Sequence, residues 1–255
     1  MVTEKIFESA LGISSPWFIA LAILVVVGGG ASATAGTVNF VSCPADGMLG
    51  PLPPPVHSQP VVIPGPELKG SLAYYKAPEG IGVFAPVGWQ CREWYGSGGI
   101  VLIVAPHTVS PLYRGNSSGP AVTVSSIDGG TSGSLVVAQL IMQLFPKQDR
   151  TFVAKVTADE KWNYTPRRNY RRYSVKNDIF HRVTPTLLEF TAPANSTGIG
   201  TGKSLSASDQ PIAGLVMLVP PRTGPGIYIV RVRLGTTQHE LTSVILKLMI
   251  ERHRP

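Results

Sequence analysis

The chain has 255 residues, of which 27 are glycine and 23 are proline, and only 15% are charged. This length allows one domain or two small ones, and the 44% of hydrophobic residues is enough for a packed core. The composition argues against long helices and favours many turns and short strands. The formal net charge of +7 suits an anionic partner, although the positions of the charges matter more than their sum.

The first 36 residues have the pattern of a targeting segment. Residues 17–27 form an apolar run that is too short to span a bilayer by itself, and small residues with A-x-A cleavage patterns follow it. The usual positive charge near the N-terminus is offset by two glutamates, and no charged residue then occurs before Asp46. We therefore predict export, with residues 1–36 cleaved as a signal peptide or, alternatively, retained as a membrane anchor through residues 13–36.

The two cysteines, Cys43 and Cys91, lie in the part of the chain that would be exported. In an oxidising compartment we expect them to pair. The bond would close a loop of about 50 residues and stabilise the fold by about 4 kcal/mol in the chain-entropy model. A lipidated Cys43 and a free buried Cys91 are the alternatives.

Residues 44–70 are rich in proline. Such a run cannot donate regular backbone hydrogen bonds and prefers an extended polyproline II conformation. We therefore predict that residues 37–70 form a Pro-rich arm or linker in front of a globular domain at residues 71–255.

The domain has the sequence pattern of a mixed fold. Apolar or alternating runs predict strands at 81–85, 89–95, 100–105, 121–127, 152–156, 186–191, 212–219 and 227–234. In the last of these, Val230 and Val232 occupy one face while Arg231 and Arg233 occupy the other.

Two amphipathic helices accompany these strands. One begins near Ser134 and ends at Pro146, and the other follows a capping-box pair, Thr237 and Glu240. The prediction is an α+β fold, in which both helices pack on one face of a mainly antiparallel sheet.

The stretch from residue 73 to 106 also carries a resemblance. APVGWQC followed by WYGSGG and an apolar strand is similar to a motif, AP-x-GW-x-C then YGS-x-G, in a family of exported bacterial proteins of unknown function. Further similar pieces lie at 119–122 with 129–133, at 191–194 with 198–201, and at 230–234. The resemblance covers most of the domain and implies a bacterial protein of the periplasm or cell envelope, but no activity. Val87 departs from the pattern, which has arginine there.

Two short motifs point weakly to chemistry. Residues 115–119 match G-x-S-x-G, but a nucleophile elbow needs a helix after the serine, and Pro120 follows instead. Residues 197–204 approach a phosphate-binding loop, but they lack its first glycine and the helix that should follow. Both strings are better interpreted as polar loops.

No catalytic residue, cofactor or metal site is predicted. The five histidines lack metal-ligand spacing with one another or with cysteine and carboxylate residues. The alternative is a hydrolase or other small-substrate enzyme whose site is assembled from distant residues, because triads follow geometry and not chain order. A cleft that joins Ser117 or Ser132 to a histidine and a carboxylate would favour that alternative.

The strongest local feature is a basic and aromatic run at residues 161–183. Seven basic residues minus one acid, Asp178, give +6, most of the excess charge. Aromatic interleaving is typical of nucleic-acid surfaces, but export makes an anionic lipid or polysaccharide of the envelope the expected partner, with no nucleic acid in vivo. We predict a non-catalytic binding or structural module with an anion-binding surface formed by Lys161, Arg167, Arg168, Tyr170, Arg171, Arg172, Tyr173 and Lys176. A solvated charged face is the alternative.

Overall fold

The computed structural model describes residues 35–56, 59–110, 117–158, 175–201, 204–220 and 224–253. The strands in these residues are β1 Ala35–Ser42, β2 Ala45–Gly47, β3 Val61–Pro64, β4 Leu72–Lys76, β5 Val83–Pro86, β6 Gln90–Gly96, β7 Gly99–Ala105, β8 Ala121–Asp128, β9 Ile179–Thr184, β10 Leu187–Ala192, β11 Ile212–Val219 and β12 Gly226–Arg233. The α-helices are α1 Ser134–Leu144, α2 Arg150–Ala158 and α3 Leu241–His253. Residues 1–34, with most of the predicted targeting segment, lie outside the described part.

The strands form two sheets. The larger sheet has the order β2-β6-β7-β8-β12-β11-β10-β9, and all its neighbours are antiparallel except β2 and β6. The smaller sheet has the order β3-β1-β4-β5, in which only β1 and β4 are parallel. The predicted α+β class with mainly antiparallel pairing is therefore confirmed.

The larger sheet is apolar on both faces, so each face is covered. Alternation along β12 sends Val230 and Val232 into one core and Ile227 and Ile229 into the other. The first core also contains the smaller sheet and the buried stripe of α3, and the second contains the buried stripe of α1. The two predicted helices consequently pack on opposite faces, and their placement on one face was wrong. A sheet with two apolar faces needs a layer on each side.

The segment predicted as a Pro-rich arm is part of the sheet structure. β1 pairs with β3 and β4, and Val38 and Ile63 are buried in the first core. The predicted disulfide is confirmed: Cys43, directly after β1, is bonded to Cys91 in β6, with the two Cα atoms 5.4 Å apart. The proline-containing segments therefore connect strands that are paired in the sheets. Within residues 37–70, the described residues are part of the folded domain, whereas a linker would lie outside it.

The helices also depart from the sequence prediction in one place. Residues 152–156, predicted as a strand, lie within α2, which packs against α1. Among the residues that the structure describes, no helix has the length and hydropathy that a membrane crossing requires.

Candidate functional site

The predicted anion-binding surface falls almost entirely outside the described residues. Seven of its eight members lie within residues 159–174: Lys161, Arg167, Arg168, Tyr170, Arg171, Arg172 and Tyr173. Lys176 is described, and its side chain is exposed. The surface therefore stays a prediction.

Two arginines of β12 are buried on the α1 side of the larger sheet. Arg231 and Arg233 are each 1% exposed. They lie beside three buried hydroxyl side chains, those of Thr123, Ser125 and Ser204. We call these five residues the arginine layer. Strand alternation explains why both arginines point to the same side of the sheet. The loops that accept hydrogen bonds from them explain why both side chains are buried.

Arg233 holds two loops onto the sheet. Its guanidinium donates to the carbonyl oxygens of Gly119 at 2.9 Å, of Ser117 at 2.6 Å and of Ser206 at 2.6 Å, and to the hydroxyl of Ser208 at 3.1 Å. Burial lowers the pKa of Arg233, and the nearby Asp209 partly opposes that effect. An arginine nevertheless remains protonated in proteins, so this is a buried cation solvated by protein acceptors.

Arg231 holds a third loop. Its Nε donates to the Ile199 carbonyl and its Nη1 to the Ser125 hydroxyl, both at 2.9 Å. The carboxylate of Asp178 accepts the Ile199 N–H at 2.7 Å. Burial raises the pKa of Asp178, while that hydrogen bond and the positive charge of Arg231 oppose the rise. The result is a compact polar unit that fixes the loop after β10.

Three of the segments that carry the sequence resemblance meet at the arginine layer. Residues 119–122, 198–201 and 230–234 meet there, because Arg233 bonds to Gly119 and Arg231 bonds to Ile199. These contacts give the pieces a structural role, since each either supplies a guanidinium or accepts hydrogen bonds from one.

A groove of about 440 Å³ lies on the opposite face, between α3 and the outer strands of the larger sheet. Its floor comes from β9, β10 and β11, and its wall comes from one side of α3. The residues that line it are Ile179, His181, Val183, Glu189, Phe190, Thr191, Ala213, Ser243, Leu246, Lys247, Ile250 and Glu251. We call this the α3 groove.

The charged side chains of the α3 groove are weakly paired. His181 Nδ1 lies 3.4 Å from Glu189 Oε2, and the two side chains are 77% and 42% exposed. Such exposed pairs contribute little to stability. Glu251 Oε2 is screened from water and accepts no hydrogen bond from any described residue.

The serines proposed for an enzymatic site do not line this groove. Ser117 donates to the Gly119 carbonyl at 3.4 Å, and the Ser132 hydroxyl lies 2.9 Å from that of Ser97. Ser243 does line the groove, but its hydroxyl donates to the Glu240 carbonyl at 3.3 Å. Within the described ranges, no three His, Cys, Asp or Glu side chains are grouped so that they could hold a metal.

The groove was missed from sequence, although a signal for it exists. β9 overlaps the end of the basic run, where Ile179, His181 and Val183 alternate with residues that face the other side of the sheet, in the pattern of a strand. On α3, the lining residues Ser243, Leu246, Lys247 and Ile250 recur at helical spacing, beside the buried stripe. Only the fold shows that these two faces meet.

No family model matches the chain, and no curated protein or solved structure is significantly similar to it. The arginine layer and the α3 groove are therefore interpreted from their own geometry.

Proposed function

We propose that this protein is an exported binding module of the bacterial cell envelope, and that its basic run engages an anionic component, either phospholipid or polysaccharide. The Cys43–Cys91 bond supports an oxidising compartment, because structural disulfides persist there and are rare in the cytosol. The targeting pattern of residues 1–36 and the resemblance to exported proteins support the same location.

The observation that carries the proposal is the use of Asp178 inside the fold. Asp178 is the one acid of the basic run, and it accepts the Ile199 N–H and lies near Arg231. It therefore balances a buried cation and does not neutralise the run. Residues 161–176 contain six basic residues and no acid, so no partner within this segment balances their charge.

One basic residue of the run is already engaged and is left out of the proposal. Arg182 donates to the Leu144 carbonyl at 2.7 Å and to the Pro185 carbonyl at 3.3 Å, and its guanidinium lies 5.8 Å from the centre of the Phe145 ring. The hydrolase alternative has less support, because no hydroxyl side chain among the described residues is hydrogen-bonded to His181 of the α3 groove.

Binding through such a run is mainly electrostatic. Each lysine or arginine near an anionic membrane contributes about 1 kcal/mol, and binding to a linear polyanion releases condensed counterions. Both effects weaken as salt rises, because the Debye length falls. Tyr170 and Tyr173 would add a smaller contribution that depends less on salt.

The test uses the full chain with heparin and with vesicles of phosphatidylglycerol or of neutral phosphatidylcholine. We expect retention at low salt that is lost as salt rises, and no binding to neutral vesicles. Changing Arg167, Arg168, Arg171 and Arg172 together to Ser should abolish retention. Comparison of the heparin arm with the anionic-vesicle arm distinguishes polysaccharide from lipid.

A matched control removes the same charge elsewhere. Lys69, Lys147, Arg150 and Lys155 are exposed and lie outside the run at residues 161–183. Their joint change to Ser should leave most of the retention in place. Equal loss in both quadruple variants would show that net charge alone is responsible, and equal retention of the Arg variant and the wild type would remove the proposal.

A further inference from the structure

β9 is the last strand of the larger sheet on one side, among the strands that the structure describes. In the part of the chain that the structure describes, β9 pairs with β10 on one side and with no strand on the other. Edge strands expose backbone donors and acceptors to any further strand, and proteins usually protect them. β9 instead presents exposed β-branched side chains, with Ile179 68% exposed and Val183 39% exposed.

The same strand forms one border of the α3 groove. Ile179, His181 and Val183 alternate along β9 and all line the groove. A strand added to the free edge would continue the sheet, so its alternate side chains would point to the same face. The six residues of β9 span about 20 Å at about 3.3 Å per residue, so the added segment would be similarly short.

The charges of the groove select the side chains of such a segment. Two carboxylates, Glu189 and Glu251, line the groove with one lysine, Lys247. Glu251 Oε2 is buried and accepts no hydrogen bond from the described residues. A lysine or arginine of the added strand would pair with Glu189, whose side chain is 42% exposed, and with the part of Glu251 that lines the groove. Ile179 and Leu246 line the same groove and offer apolar contact.

We propose that β9 and the α3 groove bind an extended polypeptide segment by strand addition, with apolar side chains flanking one basic side chain on the face toward the groove. The occupant is a polypeptide because only a polypeptide satisfies both the free backbone edge and the alternating side-chain positions. None of the residues that line this surface belongs to residues 161–176, and the inference does not depend on the proposed anion binding.

A second copy of this chain fits the edge less well. Antiparallel pairing of two β9 strands centred on Arg182 would place the two arginines directly opposite each other, and like charges directly opposite destabilise a sheet. Self-association is therefore treated as a competing outcome of the test.

The experiment measures amide NMR shifts of the full chain on titration with the peptide Thr-Val-Thr-Lys-Thr-Val-Thr, blocked at both ends. We expect saturable shifts in β9, β10 and α3. The peptide with Glu in place of Lys should bind at least about tenfold more weakly, because a charge-assisted hydrogen bond is lost and repulsion is gained. Two further peptides carry N-methyl groups on alternate residues, one set on each strand edge.

Strand addition predicts that one N-methylated peptide loses binding and the other retains it, since only one edge faces β9. The joint change Glu189→Gln and Glu251→Gln should weaken binding about tenfold. The control Glu79→Gln with Glu240→Gln removes two exposed carboxylates outside the groove and should leave affinity unchanged. Absence of shifts in β9, equal binding of both N-methylated peptides, equal binding of the Glu peptide, or concentration-dependent dimers without peptide would each overturn the proposal.

Discussion

The arginine layer and the α3 groove place charged side chains against opposite faces of the same sheet. In the arginine layer, Arg233 alone donates four hydrogen bonds to loop carbonyls and a hydroxyl. In the groove, His181 and Glu189 form an exposed pair, and Glu251 Oε2 accepts no hydrogen bond from the described residues. Polar groups that are hydrogen-bonded within the chain stabilise the fold, whereas the groove leaves its charged side chains with fewer partners among the described residues.

The largest effect is expected for Arg233→Met. The change removes the donor for three loop carbonyls in a buried place, and each unsatisfied acceptor costs about 1–3 kcal/mol before water enters. We expect the free energy of unfolding to fall by about 4 kcal/mol, as measured by urea denaturation.

The matched control is Lys247→Met, which removes a cation from the wall of the groove. Exposed substitutions usually change stability by less than about 0.5 kcal/mol. Similar losses in the two variants would mean that the arginine layer and the groove do not differ in the way their geometry indicates.

The arginine layer shows the limit of sequence reasoning. Alternation correctly separated Arg231 and Arg233 from the valines between them. It could not show that the polar face is buried, because arginine on a strand normally faces water. The backbone carbonyls that accept hydrogen bonds from the buried arginines are distant in the sequence. Ile199 is 32 residues from Arg231, and Gly119 is 114 residues from Arg233.

The elements were predictable where periodicity was strong. The predicted helices near Ser134 and after Glu240 correspond to α1 and α3, and the pairing of Cys43 with Cys91 followed from their number and expected compartment. The run at 152–156 was misassigned, because a short apolar run fits a strand and a helix equally well. β9 was not predicted, since the interpretation of its residues rested on their charge.

A smaller effect is expected for Asp178→Asn, and its pH dependence is the informative part. Burial raises the pKa of Asp178 above its ordinary value, despite Arg231 and the Ile199 N–H. A raised folded pKa means that the contribution of this group to stability is complete at low pH and is lost as pH rises through the folded value. Asparagine does not titrate, so the stability of the Asp178→Asn variant does not fall with pH through this group.

The stability advantage of the wild type over Asp178→Asn should therefore shrink as pH rises above the ordinary aspartate pKa of about 4. The change should be at most about 1 kcal/mol, because the carboxylate is only half-buried and partly screened by water. Urea denaturation at several pH values measures it. An advantage that grows with pH would show that the attraction of Arg231 outweighs burial.

The smallest effect is expected for Glu251→Gln, which makes the sharpest contrast with Asp178. Both carboxylates have one buried oxygen that accepts no hydrogen bond in the described part of the chain. The other oxygen of Asp178 is bonded to Ile199 beside Arg231, so that group is integrated into the fold. Glu251 lines the α3 groove, and no hydrogen bond ties its carboxylate to a loop in the described part of the chain. We therefore expect the free energy of unfolding of Glu251→Gln to stay within about 0.5 kcal/mol of the wild type in urea denaturation. A loss above about 1 kcal/mol would place Glu251 with the arginine layer as a structural residue, and the groove would then lose the carboxylate that selects a basic side chain.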